Sequence, residues 1–83
     1  MLPMNQTALS HIEKLEELYY QRLFRFANRL CGSPARAMAL TQRTFRQAFD
    51  YTTTLPVPSD SQSWLVSILF SKFLEDRAHH QHA

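Results

Sequence analysis

One glycine and one cysteine in 83 residues exclude several kinds of chemistry at once. A chain with a single glycine has no glycine-rich loop to cradle a phosphate. A lone Cys31 cannot close an internal disulfide or supply zinc-ligand spacing, and it reads as a small apolar residue near a helix end. No apolar run reaches the length of a membrane span. The first ten residues have neither the basic start nor the apolar core of a signal peptide. The expectation is a soluble cytoplasmic protein with no membrane association. No Ser/His/Asp arrangement can be placed, so no enzyme activity is expected. His79, His80 and His82 come without partner ligands, so neither metal nor cofactor is expected.

Acidic residues are missing from one long stretch. Between positions 18 and 46 stand six arginines (Arg22, Arg25, Arg29, Arg36, Arg43, Arg46) and no Asp or Glu. Glu13, Glu16 and Glu17 precede this block, and Asp50, Asp60, Glu75 and Asp76 follow it. A net charge of +2 hides this asymmetry. Such a basic block suits an anionic partner, phosphate backbone or acidic protein surface. Pairing with the flanking acids is the alternative.

A hydrophobic content of 45% against 19% charged residues is globular, not disordered. A chain this small buries roughly 60–65% of its extended surface, so one marginal domain is expected, over residues 10–78. Flexible ends are expected at 1–9 and 79–83. Ser10-His11-Ile12-Glu13 has the form of a capping box. After it Ile12, Leu15, Leu18, Tyr19, Leu23, Phe26, Ala27 and Leu30 follow helical spacing. Tyr20 and Phe24 fall beside that stripe and either widen the core face or meet a partner.

Gly32-Ser33-Pro34 is punctuation. Glycine ends one helix in a left-handed conformation, serine caps the next, and proline suits its first turn. Ala37, Leu40, Thr41, Thr44, Phe45 and Ala48 then form one apolar face, with Arg36, Arg43 and Arg46 on another. The pattern stops after Phe49. Residues 50–62 hold three threonines, two prolines and a polar run, which reads as a loop long enough to be functional. Asp60 or Ser61 caps a third helix whose buried face is Trp64, Leu65, Ile68, Leu69 and Phe73, with Phe70 and Leu74 less clearly placed. The fold class is all-α: a small three-helix bundle, with four helices as the variant.

Three segments in this order resemble region 2 of bacterial sigma-70 factors of the extracytoplasmic-function type. The first runs from Leu18-Tyr19 through Leu23 and Ala27 to Leu30-Cys31-Gly32. The second, Ser33-Pro34-Ala35 through Leu40-Thr41-Gln42 to Thr44-Phe45, is similar to that family's DPADAEDLVQETF segment. The third, Trp64-Leu65 to Ile68, is similar to its WLxxIAxN segment. The resemblance covers about residues 15–77. It implies a transcription-initiation module that docks on core RNA polymerase through the second helix and opens the −10 promoter DNA with the loop and last helix.

On this sequence the implied docking positions are Arg36, Ala39, Leu40, Gln42, Arg43 and Arg46. The implied DNA-contacting positions are Thr53, Thr54, Ser61, Trp64, Ser71, Lys72 and Arg77. Trp64 reads first as a core residue and second as a base-stacking platform. The family's docking helix is acidic where this chain has Arg36, Met38, Ala39 and Arg43, so like charges would oppose at a contact built for carboxylates. Ser71 stands where the family has Asn, and Glu75 where it has Asp. The family's second domain, which reads the −35 element, is not in this sequence, so either a region 4-bearing partner chain supplies it or the chain works differently. Two other readings stand beside this one. A degenerate sigma-like domain would act as a decoy for an anti-sigma factor or similar regulator. A general basic helical module would bind nucleic acid without sequence preference.

Overall fold

The computed structural model describes the backbone of residues 4–82 and the side chains of residues 10–78. Three helices follow one another: α1 (Met4–Cys31), α2 (Pro34–Thr52) and α3 (Ser61–His82). There is no strand among the described residues. The bundle is therefore three-helical, and the four-helix variant is set aside. No described helix is long and apolar enough to cross a membrane. Expectations for residues 1–3 and 83, and for the side chains of His79, His80 and His82, lie outside the described residues.

The turn between α1 and α2 follows from its residues. Gly32 takes φ +68°, and its N–H donates to the Asn28 carbonyl at 2.8 Å, a left-handed C-cap. Ser33 is extended (φ −152°, ψ 121°), and its Oγ accepts from the Arg36 N–H at 3.4 Å. Pro34 occupies the first turn, where its missing N–H leaves no bond unmade. This short, fixed turn folds α2 back along α1.

The α2 apolar face is the one its spacing predicts. Ala37, Leu40, Thr41, Thr44, Phe45 and Ala48 are all buried. Two threonines on that face are tolerated because each hydroxyl has a partner one turn back. Thr41 Oγ1 donates to the Ala37 carbonyl and Thr44 Oγ1 to the Leu40 carbonyl, both at 2.8 Å. From α1 the core takes Ile12, Leu15, Leu23 and Ala27; from α3 it takes Leu65, Ile68 and Leu69. Tyr20 settles its open reading by widening the core: its ring stacks on Phe24 (6.5 Å) and, across the α1–α2 seam, on Phe45 (6.1 Å).

Several expectations are corrected. Helix α1 starts at Met4, not Ser10; a residue inside a helix cannot be its N-cap, so the Ser10–Glu13 box does not start it. No proline or glycine interrupts residues 4–31 to stop the helix sooner. Leu18 is 63% exposed instead of joining the core. It lies about 140° round the helix from Leu23 and shares a face with Arg22, Arg25 and Arg29. Helix α2 runs on to Thr52, past the expected end at Phe49. Three threonine hydroxyls hold its last turn: Thr52 donates to Phe49 O (2.8 Å), Thr53 to Asp50 O (2.7 Å) and Thr54 to Tyr51 O (3.3 Å). Backbone N–H groups close the same end: Thr53 N–H donates to Asp50 O (3.3 Å), and Thr54 and Leu55 N–H both donate to Tyr51 O (3.1 and 2.8 Å). The linker accordingly shortens to residues 53–60. At its end Asp60 Oδ1 accepts from the Ser63 N–H (3.3 Å) and caps α3.

Candidate functional site

The basic block is at the surface. Arg22, Arg25, Arg29, Arg36, Arg43 and Arg46 are all exposed. Of the six, only Arg43 forms an ion pair among the described residues. Its Nη1 donates to both carboxylate oxygens of Asp76 on α3, at 2.7 and 2.8 Å. Arg22 Nη1 donates to Gln62 Oε1 at 2.9 Å. Arg22 of α1 thus reaches the first turn of α3, and Arg43 of α2 a later one.

Two concave surfaces flank α3. A groove of about 480 Å³ lies between the end of α1, the start of α2 and the later turns of α3. Leu30, Leu40 and Phe73 form its apolar part, with Ala39 beside them; Arg36, Asp76 and Arg77 give it charge. The Arg77 guanidinium lies 5.9 Å from the centre of the Phe73 ring, within cation–π range. Cys31 also lines the groove. Burial pushes its thiol up in pKa, Arg36 pulls it down, and Asp76 adds to the rise. The result is a neutral thiol, not an activated nucleophile.

The second surface is a cleft of about 370 Å³ built where the linker meets α3. Tyr51 from the last turn of α2 and Trp64 from the first turns of α3 form its aromatic wall, with ring centroids 6.4 Å apart and planes at 47°. Leu55, Pro56 and Pro58 come from the linker, and Ser67, Ile68 and Ser71 from α3. Tyr51 is 41% and Leu55 59% exposed, and Trp64 is half-buried. The prolines hold the linker extended against α3. An open apolar slot with two serine hydroxyls at hand can take a flat ring that also offers hydrogen-bonding edges.

The predicted site residues divide between these surfaces. Of the expected DNA-contacting set, Trp64 and Ser71 line the cleft. Thr53 and Thr54 are exposed, but their hydroxyls are engaged in capping α2. The Ser61 hydroxyl donates to the Pro58 carbonyl at 3.2 Å. Lys72 lies 3.6 Å from Glu75, and Arg77 lines the groove instead. Of the expected docking set, Arg36 and Ala39 line the groove, while Gln42 and Arg46 are exposed. Leu40 is only 2% exposed, so it is chiefly a core residue.

Sequence reasoning missed Tyr51 and Ser67; Leu55 falls within the loop expected to meet DNA. The signal for Tyr51 was the absence of any proline or glycine between Phe49 and Leu55 to stop α2 before it. There is no cluster of metal-ligating side chains among the described residues. Compared with protein-family models, curated proteins and solved structures, the chain finds no match.

Proposed function

We propose that this chain is a sigma region 2-like transcription-initiation module that captures an unstacked base of −10 promoter DNA in the Tyr51–Trp64 cleft. The observation that carries the reading is that cleft: two aromatic rings at 6.4 Å, opening on the linker that the resemblance to sigma region 2 assigns to strand opening. Stacking on an aromatic side chain contributes about 1–3 kcal/mol per base. The cleft has no cation in its own lining, so backbone phosphates would be met by the exposed arginines of α1 and α2. Core RNA polymerase would contact the outer side of α2, where Arg36, Ala39, Gln42 and Arg46 remain accessible. On this reading the chain acts in the cytoplasm, together with core RNA polymerase.

The chain contains a single tryptophan, which provides a direct test. Single-stranded −10-like DNA is expected to quench Trp64 fluorescence at concentrations where the corresponding duplex does not. Co-elution with core polymerase is expected in parallel. Unchanged fluorescence with every single strand would remove the base-capture reading.

A second reading draws on the groove. Arg36 lies on a surface where the family has acids, and Arg43 is tied to Asp76. Both features fit a decoy that engages an anti-sigma factor or similar regulator in place of polymerase. Binding to such a regulator, with no polymerase in the eluate, would favour it.

A further inference from the structure

Helix α3 carries apolar residues around more of its circumference than α2 does. Leu65, Ile68 and Leu69 are buried in the bundle. On the opposite side Phe70 is 44% and Leu74 48% exposed. Ser63, Ser67, Phe70, Leu74 and Arg77 follow one another along that side at spacings that alternate four and three residues; Ser67 also borders the cleft, Arg77 also borders the groove, and Phe70 stacks on Phe73 at 6.2 Å. Such alternation marks the seam of two paired helices.

We propose that this face pairs antiparallel with the same face of a second copy of the chain. Its order is two small residues, then two large ones. Reversing the second copy sets Phe70 against Ser67 and Leu74 against Ser63, twice each, so large side chains enter the gaps left by small ones. A parallel pairing would set Phe70 on Phe70 and leave the serines facing a void.

Charge favours the same orientation. Asp60 is exposed at the entry to α3, where one carboxylate oxygen caps the helix and the other is left over, and Arg77 is exposed near the far end, beside the Phe73 ring. Antiparallel copies bring each Asp60 toward an Arg77 of the other, whereas parallel copies oppose like charges. Lys72 and Glu75 lie off this face and interact with each other. One helix from each copy buries less than the roughly 1,200 Å² of a standard specific interface, so the dimer forms at high concentration and dissociates on dilution.

The test is sedimentation of the full chain over a rising concentration series, without nucleic acid or polymerase, so its outcome is separate from that of the promoter reading. The sedimenting mass is expected to double. Ser67→Lys and Phe70→Glu, both at exposed positions, are each expected to remain monomeric with unchanged helicity and melting. An equimolar mixture of the two is expected to double in mass again, because one pairing site then sets ammonium against carboxylate and the other keeps the native Ser–Phe contact. Ser63→Lys with Leu74→Glu provides the same exchange one turn further out. A wild-type chain that stays monomeric up to about 1 mM, a dimer that survives either single substitution, or a mixture that stays monomeric would each overturn the proposal.

Discussion

Arg43 on α2 and Asp76 on α3 are joined by two short contacts, at 2.7 and 2.8 Å from one guanidinium nitrogen. The pair fixes the later turns of α3 against α2 at the edge of the groove. Both side chains remain nearly half exposed, at 45% and 44%, so water and salt screen them. Such pairs contribute about 0.2–1 kcal/mol. Arg43→Ala is expected to lower stability within that range, and a double-mutant cycle with Asp76→Ala in urea should recover the same coupling. Raising salt from low to molar concentration should erase most of it.

Gly32 isolates a pure backbone effect. It sits at φ +68° and a methyl group there would meet no atom within 4 Å. Gly32→Ala therefore introduces no clash, only the cost of holding an L-residue in the left-handed region. A loss of about 1–2 kcal/mol is expected, read as a lower urea midpoint with an unchanged slope. Ser33→Ala, which removes the acceptor for the Arg36 N–H, is expected to cost about 1 kcal/mol independently.

The core of α2 was legible because its signals are local. A cap, a proline and a helical period all lie within a few residues of what they specify, and all six predicted side chains are buried. Leu18 shows where that kind of reading slips. It is four residues before Arg22, and adjacency to other apolar positions concealed that its direction is the arginine face. The sites were less legible because they are made between helices. No periodicity links Arg43 to Asp76 or Tyr51 to Trp64. The first pair depends on how α3 returns along α2, and the second on how far α2 runs on past Phe49. The expected DNA-contacting set divided for the same reason: Trp64 and Arg77 lie on one helix but line different surfaces.

Cys31 predicts a pH dependence. Burial is the main cause of its raised pKa, so the folded state holds the thiol proton more tightly than the unfolded chain. The stabilisation is complete below the unfolded thiol's pKa and is lost as pH rises through the folded one. Urea midpoints are expected to fall on the alkaline side, and Cys31→Ala should remove that part of the fall. Alkylation at a fixed, mildly alkaline pH should be slower in the native chain than in the unfolded one. Arg36→Ala should slow it further, since Arg36 is the group that pulls the thiol down. Faster native alkylation would mean that the thiolate is the form this groove prefers.

Trp64 separates a packing role from a binding role. It borders the core cluster and also forms a wall of the cleft, so Trp64→Ala alone would mix lost stability with lost affinity. Tyr51 resolves this, because it is 41% exposed and contributes to the same wall. Tyr51→Ala is expected to cost little stability but to weaken single-stranded DNA binding by about tenfold or more, from lost stacking. Tyr51→Phe should retain most of the affinity, since the ring and not the hydroxyl forms the wall. Trp64→Phe should keep part of it, at the cost of a smaller stacking surface. Substitutions of the exposed arginines, such as Arg25→Ala, should instead weaken all sequences alike and flatten the salt dependence. If Tyr51→Ala leaves affinity intact while the arginine substitutions reduce it, the chain is a general basic module and the aromatic cleft has no part in holding a base.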